Sequence, residues 1–146
     1  MIYAPVTERM WGNAECGMRN AELWTPEANS EFRIPNSASS RPFTVLVSRS
    51  HRTHEVDDYI DTVLRPAHPD LVIDSQGSSL KFARLVEGTA DVYVCYSKTK
   101  EWDTAAADAI LTAAGGKVLR ISDGQPLEYD KKDYPNPPFV AWAPSC

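Results

Sequence analysis

The sequence predicts an α/β protein in which helices flank a mixed, mostly parallel sheet. Between residues 43 and 143, short apolar runs typical of strands alternate with segments whose apolar residues recur at helical spacing. Glycine and proline punctuate these segments where elements should end. Before residue 25 the apolar runs are short and surround turn-forming residues, which predicts two or three antiparallel strands ahead of the main sheet.

Five apolar runs are expected to be the strands of the main sheet. They are "FTVLVS" (43–48), "LVID" (71–74), "DVYVCY" (91–96), "KVLRI" (117–121) and "FVAWA" (139–143). Three helices are expected between them. The first continues until Pro66 blocks it, the second ends at Gly88, and the third covers residues 103–114 and stops at Gly115 and Gly116.

Composition limits the class of protein. The chain has 146 residues, 42% of them hydrophobic and 24% charged, which fits one globular domain. No apolar run is long enough to cross a bilayer and the first residues do not resemble a signal peptide, so a cytoplasmic protein without a membrane span is expected. A net charge of −5 argues against a nucleic-acid partner. The three cysteines have neither disulfide-framework nor zinc-ligand spacing, which predicts reduced thiols.

Polar residues lie at three junctions between a strand and the following helix: "SRSH" (48–51), "SQGSSLK" (75–81) and "EWDT" (101–104). Such junctions attract anions because unpaired N–H groups and the helix dipole face them. In the second junction Gly77 permits close approach to the backbone, Ser78 offers a hydroxyl and Lys81 adds a cation. This pattern indicates a phosphate site, and the alternative is a serine N-cap followed by a solvated lysine.

His51 and Asp103 each allow two interpretations. His51 directly follows a strand end and could bind a ligand or face solvent, whereas His54 is expected to face solvent. Asp103 could occupy the N-cap position of the third helix or hold a ligand. A lone carboxylate does not hold magnesium firmly, because that ion takes several hard oxygens, including waters and substrate phosphates. The sequence therefore supplies only part of a metal site.

Several motifs together resemble the inositol monophosphatase superfamily. "WDTAA" followed by "AGG" is similar to its C-terminal signature. "VSRSH", "GSSLKF", "VEGTADVY" and "GQPLEYDKKD" are similar, in this order, to the 3'(2'),5'-bisphosphate nucleotidase branch, and the resemblance covers nearly the whole chain. It implies a magnesium-dependent phosphatase that hydrolyses adenosine 3',5'-bisphosphate, formed in sulfate assimilation, to AMP and phosphate. An inositol or sugar monophosphatase is the alternative within the superfamily.

The resemblance assigns roles to the residues already singled out. Asp103 matches the aspartate that binds catalytic magnesium and contacts the substrate. Ser78, Lys81 and His51 match positions that contact the nucleotide or its second phosphate, and Gly77 is expected to let the substrate approach the backbone.

One position departs from many relatives. They carry a phosphate-binding arginine where this chain has Cys95, so Arg49, Lys98 or Lys100 is expected to supply the charge.

The resemblance also implies a division of the chain. The family's N-terminal half carries a metal-binding glutamate and a "DPxDGT"-type run, and this chain has no match to either; Asp57, Asp58 and Asp61 are expected to form a solvated helix face. Residues 1–36 are therefore expected to be a strand remnant of an N-terminal metal-binding domain, and residues 41–146 the C-terminal α/β domain. The chain alone is expected to be inactive and to need the missing N-terminal half. A non-catalytic nucleotide-phosphate binding module is the alternative from another class.

Overall fold

A five-stranded sheet forms the centre of the fold. The computed structural model describes residues 41–77 and 80–144, and the backbone of residues 2–4 and 9–11. The strands are β1 (Ile2–Ala4), β2 (Arg9–Trp11), β3 (Thr44–Ser48), β4 (Val72–Gln76), β5 (Val92–Cys95), β6 (Thr99–Lys100), β7 (Lys117–Arg120), β8 (Pro135–Asn136) and β9 (Phe139–Trp142). The helices are α1 (His54–Tyr59), which continues as a π-helical turn (Ile60–Leu64), α2 (Leu80–Val86) and α3 (Glu101–Ala113).

The sheet is mixed, as predicted. Its strand order is β4-β3-β5-β9-β7. β3 is parallel to both β4 and β5, whereas β9 is antiparallel to both of its neighbours, β5 and β7. Four strands therefore run in one direction and β9 runs against them. β1 and β2 form a separate antiparallel pair, which confirms the strands expected at the start of the chain.

Helices cover both faces of the sheet. Side chains alternate between faces along a strand, so Leu46 and Tyr93 pack in one apolar cluster with α2 and α3. Val45, Val47 and Val92 pack in the other cluster with α1 and its π-helical turn. All three of these valines are fully buried. Both faces of the sheet are thus buried, and the loops that follow the strand ends lie at its edges.

The helix ends follow the sequence signals. Gly88, after α2, and Gly115, after α3, have φ of 68° and 92°, the left-handed conformation that glycine adopts without strain. The first helix changes to π-helical hydrogen bonding at Ile60, and Pro66 follows in the turn where it ends. Within the described ranges, no helix is both long and apolar enough to cross a membrane.

The sequence pattern does not predict β6 and β8. These two-residue strands pair antiparallel, with Thr99 opposite Asn136 and Lys100 opposite Pro135. They are too short for any periodicity to show. Their effect is to bring residues 135–136 against the N-terminus of α3.

Candidate active site

The carboxyl ends of β3, β4 and β5 meet at one edge of the sheet because these strands are parallel. Ser48 pairs with Gln76, and Leu46 pairs with Tyr93, so Cys95 continues that register to the level of Ser48. Open α/β sheets bind ligands at this edge. The predicted site residues follow these ends: His51 after β3, Gly77, Ser78 and Lys81 after β4, and Asp103 after β5 and β6.

Asp103 lies in the first turn of α3, where it makes a capping interaction. Lys100 is the N-cap residue, and Asp103 is the third helical residue, so the expectation that Asp103 itself occupies the N-cap position is wrong. Its Oδ2 accepts the backbone N–H of Lys100 at 2.8 Å, which confirms a capping role. This is one half of a capping box, because the lysine side chain has no acceptor for the second bond. Oδ1 has no hydrogen bond to any described residue, and the side chain is exposed. One carboxylate oxygen is therefore fixed and the other faces outward.

Lys81 is buried, with 5% of its surface exposed, so the interpretation as a solvated lysine is wrong. Its Nζ lies 4.7 Å from the centre of the Tyr93 ring and donates to the Gln76 carbonyl at 3.3 Å. Burial lowers the pKa of Lys81, and the neighbouring Cys95 acts in the opposite direction. Charges attract more strongly where water is excluded. Lys81 therefore presents a partly desolvated positive charge at the edge of the sheet.

Tyr93, whose ring lies beside the Lys81 ammonium, also belongs to this edge of the sheet, and the sequence did not single it out. Burial raises the pKa of Tyr93, Cys95 adds to the effect, and the Asp103 carboxylate contributes a smaller part. Cys95 is a buried free cysteine whose Sγ lies 3.3 Å from Ser97 Oγ. The signal in the sequence was the alternation in β5, which puts Tyr93 and Cys95 on the same face.

Arg49 directly follows β3, the strand that pairs with the Cys95 strand β5, and is a candidate for the charge expected near Cys95. Its backbone N–H donates to the Gln76 carbonyl at 3.3 Å. A Cβ added to Gly77 would lie 3.4 Å from Arg49 Nη2, so the glycine leaves room for the guanidinium. Among the described residues that guanidinium has no carboxylate partner. Lys100, by contrast, donates its Nζ to the Asp133 carbonyl at 2.6 Å and is already engaged.

The remaining predicted residues are less constrained. His51 is exposed, its backbone N–H donates to Ser48 Oγ at 3.2 Å, and its imidazole has no partner in the described part of the chain. His54 is solvent-exposed, as predicted, with Nε2 3.6 Å from Asp58 Oδ1. His51 precedes α1, so the two histidines do not share a helical face. Ser78 lies outside the described residues.

The other acidic residues near the sheet form ion pairs with arginines. Asp74 pairs with Arg84, and Asp91 Oδ2 lies 2.5 Å from Arg41 Nη1. The solvated face predicted for α1 is confirmed for its acids. They are exposed or half-exposed and contact Arg52, His54 and Arg65.

A magnesium ion would find only one ligand among these side chains. No group of three His, Cys, Asp or Glu that could hold a metal occurs in the described ranges. The N-terminus of α3 carries the positive end of the helix dipole, which favours an anion and opposes a cation. Magnesium also prefers one or two carboxylates together with phosphate oxygens and water. The Asp103 carboxylate fits as a single ligand, and the others must come from beyond these residues.

A loop that contains residues 130–134 is hydrogen-bonded to the first turn of α3, which the sequence did not indicate. The Glu101 carboxylate accepts the N–H groups of Asp130 and Lys131 at 2.8 and 3.0 Å and lies 2.7 Å from Lys131 Nζ. Burial alone would raise the pKa of Glu101, but the Lys131 ammonium and the two N–H groups lower it overall. Tyr134 has a left-handed φ of 55°, and its ring lies 5.9 Å from that of the exposed Trp102. The loop therefore stiffens the surroundings of Asp103.

Comparison with known proteins gives consistent matches. Residues 1–144 match the model of the Inositol monophosphatase family. The 3'(2'),5'-bisphosphate nucleotidase CysQ of Escherichia coli K12 is 34% identical over 140 residues, which are 95% of this chain and 52% of that protein. CysQ of Buchnera aphidicola is 37% identical over 124 residues, or 85% of this chain and 43% of that protein. The chain spans about half the length of these relatives.

A solved structure has the same fold. CysQ from Bacteroides thetaiotaomicron, described as a bacterial member of the inositol monophosphatase family, superposes with a TM-score of 0.68. It is 41% identical, and the match covers 76% of this chain and 41% of that one.

Proposed function

Because the chain belongs to the inositol monophosphatase family, we propose that it supplies the C-terminal domain, residues 41–146, of a magnesium-dependent phosphatase. Its substrate in this proposal is adenosine 3',5'-bisphosphate, which is hydrolysed to AMP and phosphate. The relatives from E. coli and B. aphidicola, both named bisphosphate nucleotidases, support that substrate. The observation that carries the proposal is the burial of the Lys81 ammonium against the Tyr93 ring, at the edge of the sheet where Asp103 lies in the first turn of the next helix.

Lys81 and Arg49 bind the phosphate that is not cleaved. The Gln76 carbonyl accepts from both residues, from the ammonium of Lys81 and from the backbone N–H of Arg49, so the Lys81 ammonium lies close to the Arg49 backbone. A guanidinium can bind two phosphate oxygens in one plane, whereas an ammonium acts as a point charge. Ser78 and His51 are assigned to the same nucleotide by their match to the family motifs.

Asp103 provides one ligand of the metal through Oδ1, while Lys100 holds Oδ2. When bound, magnesium supplies the positive charge that stabilises the phosphoryl oxygens and acidifies a water molecule. The remaining ligands lie in an N-terminal domain of which residues 1–36 are the last part. The chain alone is therefore inactive. As an enzyme of sulfate assimilation, the assembled protein acts in the cytoplasm.

Phosphate release tests this proposal. The chain is mixed with the separately expressed N-terminal half of E. coli CysQ, the relative that is 34% identical. In the mixture Asp103→Asn should slow release by about 100-fold, because a lost metal ligand removes several kcal/mol of transition-state stabilisation and each 1.36 kcal/mol is tenfold. Asp108→Asn is the control on the same helix, since its carboxylate accepts the Tyr129 hydroxyl at 2.6 Å and lies five residues beyond Asp103.

Two results would contradict the proposal. Equal activity of Asp103→Asn and the control would show that Asp103 is not a metal ligand. Faster hydrolysis of inositol monophosphate than of adenosine 3',5'-bisphosphate would favour the inositol monophosphatase alternative.

A further inference from the structure

Asn136 of β8 lies beneath the first turn of α3, with 9% of its surface exposed. Its Nδ2 donates to three oxygens. They are Thr99 Oγ1 at 3.3 Å, the Lys100 carbonyl at 2.8 Å and Thr104 Oγ1 at 3.0 Å. One side-chain amide thus joins β6, the N-cap residue of α3 and the first turn of that helix.

The contacts of Asn136 lead to the Asp103 carboxylate. Lys100, whose carbonyl Asn136 binds, is the residue whose N–H fixes Asp103 Oδ2 at 2.8 Å. On the other side of Asp103, the Thr104 hydroxyl accepts from Asn136 and donates to the Glu101 carbonyl at 3.3 Å. Asn136 therefore binds the chain on both sides of Asp103. If Lys100 moved, its N–H would leave the carboxylate and Asp103 could turn.

The oxygen of the Asn136 amide, Oδ1, carries a cost in stability. Asn136 Oδ1 is buried and has no hydrogen-bond partner in the described part of the chain. A buried acceptor without a donor costs about 1–3 kcal/mol, and an apolar side chain of similar shape would avoid that cost. The amide is favourable here only through its two N–H groups. These N–H groups join the start of α3 to β6 and β8.

We propose that Asn136 is a positioning residue for Asp103. It holds Lys100 and Thr104 so that one Asp103 oxygen stays on the Lys100 N–H and the other stays directed at the ligand. The importance of this for catalysis rests on the proposed function, in which Asp103 binds the metal. The positioning itself is a property of the folded chain and is measurable without substrate.

Amide hydrogen exchange, followed by NMR on the full chain, tests the positioning. Asn136→Asp is nearly isosteric but replaces the two N–H donors by an acceptor that faces the Lys100 carbonyl. We expect the N–H of Lys100 to exchange about tenfold faster or more, while Ile110 and Leu111, further along α3, change little. A merely structural role would speed exchange at all of these positions alike, and that result would overturn the proposal.

Two further variants keep the test decisive if Asn136→Asp does not fold. Thr104→Val removes one oxygen that Asn136 binds while keeping the shape of the side chain, and should speed exchange at Lys100 by a smaller factor. Thr112→Val makes the same change further along the helix, where it removes the hydrogen bond to Asp108, and should leave Lys100 unchanged. Equal effects of these two variants on the Lys100 N–H would also overturn the proposal.

A manganese titration separates this inference from the proposed function. With the N-terminal half of E. coli CysQ present, bound Mn²⁺ should broaden the NMR signals of Asp103 and Thr104, and Asn136→Asp should need several-fold more Mn²⁺ for the same effect. If Mn²⁺ leaves these signals sharp in the unmodified chain, the metal role of Asp103 fails while the exchange data still decide the role of Asn136. An unchanged Mn²⁺ requirement in the variant would contradict a role for Asn136 in positioning the ligand.

Discussion

The backbone N–H of Lys100 donates to the Asp103 carboxylate at 2.8 Å, so the side chain assigned to metal binding also closes the first turn of its own helix. This bond holds Oδ2 in place, so that Oδ1 is the oxygen available to a ligand. A capping interaction and a ligand contact are thus compatible because they use different oxygens of the same group.

Loss of the hydrogen bond between Asp103 and the Lys100 N–H should measurably lower the stability of the fold. Asp103→Ala should lower the free energy of unfolding by about 1 kcal/mol, because it removes a capping acceptor. Asp103→Asn keeps an oxygen that can accept the Lys100 N–H, and it should cost less than half as much. Urea denaturation of both variants measures the difference. An alanine variant as stable as the unmodified chain would contradict the capping bond.

The buried charge of Lys81 should favour a substrate with two phosphates. Lys81→Met keeps the length of the side chain and removes the charge. Hydrogen bonds to charged groups contribute about 1.5–3 kcal/mol, so the Kd for adenosine 3',5'-bisphosphate should rise about tenfold or more, with a smaller rise for AMP. Added salt should reduce the difference. Lys117→Met, at an exposed lysine of β7, is the control in the same calorimetric titration.

Equal losses for the two ligands in Lys81→Met would show that Lys81 does not contact the second phosphate. An equal loss in the Lys117 control would show that the effect is due to net charge alone.

Glu101 should make the loop on α3 sensitive to acid. Its pKa in the folded chain is lowered from 4.5, so its contribution to stability is fully present above that pH and is lost as the pH falls through the lowered folded value. Glu101→Gln should therefore have a lower Tm than the unmodified chain near neutral pH, and the two values should converge in acid below pH 4.5. Thermal melts across this range measure the difference. A constant difference would contradict the prediction.

The alternation of strands and helices was readable from the sequence because each element carries its own periodicity. The direction of β9 could not be read from the sequence, because an apolar strand has the same pattern whether it runs parallel or antiparallel to its neighbours. The burial of Lys81 depends on Tyr93, which a different strand brings beside it. Asn136 contacts Lys100 only through pairing between two-residue strands that are far apart in the chain.

The site was predictable to the extent that its residues follow strand ends. The parallel strands bring His51, Gly77, Lys81 and Asp103 to one edge, which the order of the elements already implied. Their roles, and that of Ser78, stay predictions. The sequence could not indicate the anchoring of Asp103 by Lys100, since the N-cap is a lysine and not one of the residue types that mark helix starts.

The measurement that tests the central claim most directly is phosphate release from adenosine 3',5'-bisphosphate by the 146-residue chain, alone and mixed with the N-terminal half of E. coli CysQ. In the proposed function the chain supplies a single metal-binding carboxylate, so we expect no release from the chain alone at any magnesium concentration. The mixture should release phosphate with magnesium and stop when a chelator removes it. Robust release by the purified chain alone, or none from two halves shown to associate by size measurement, would contradict the account.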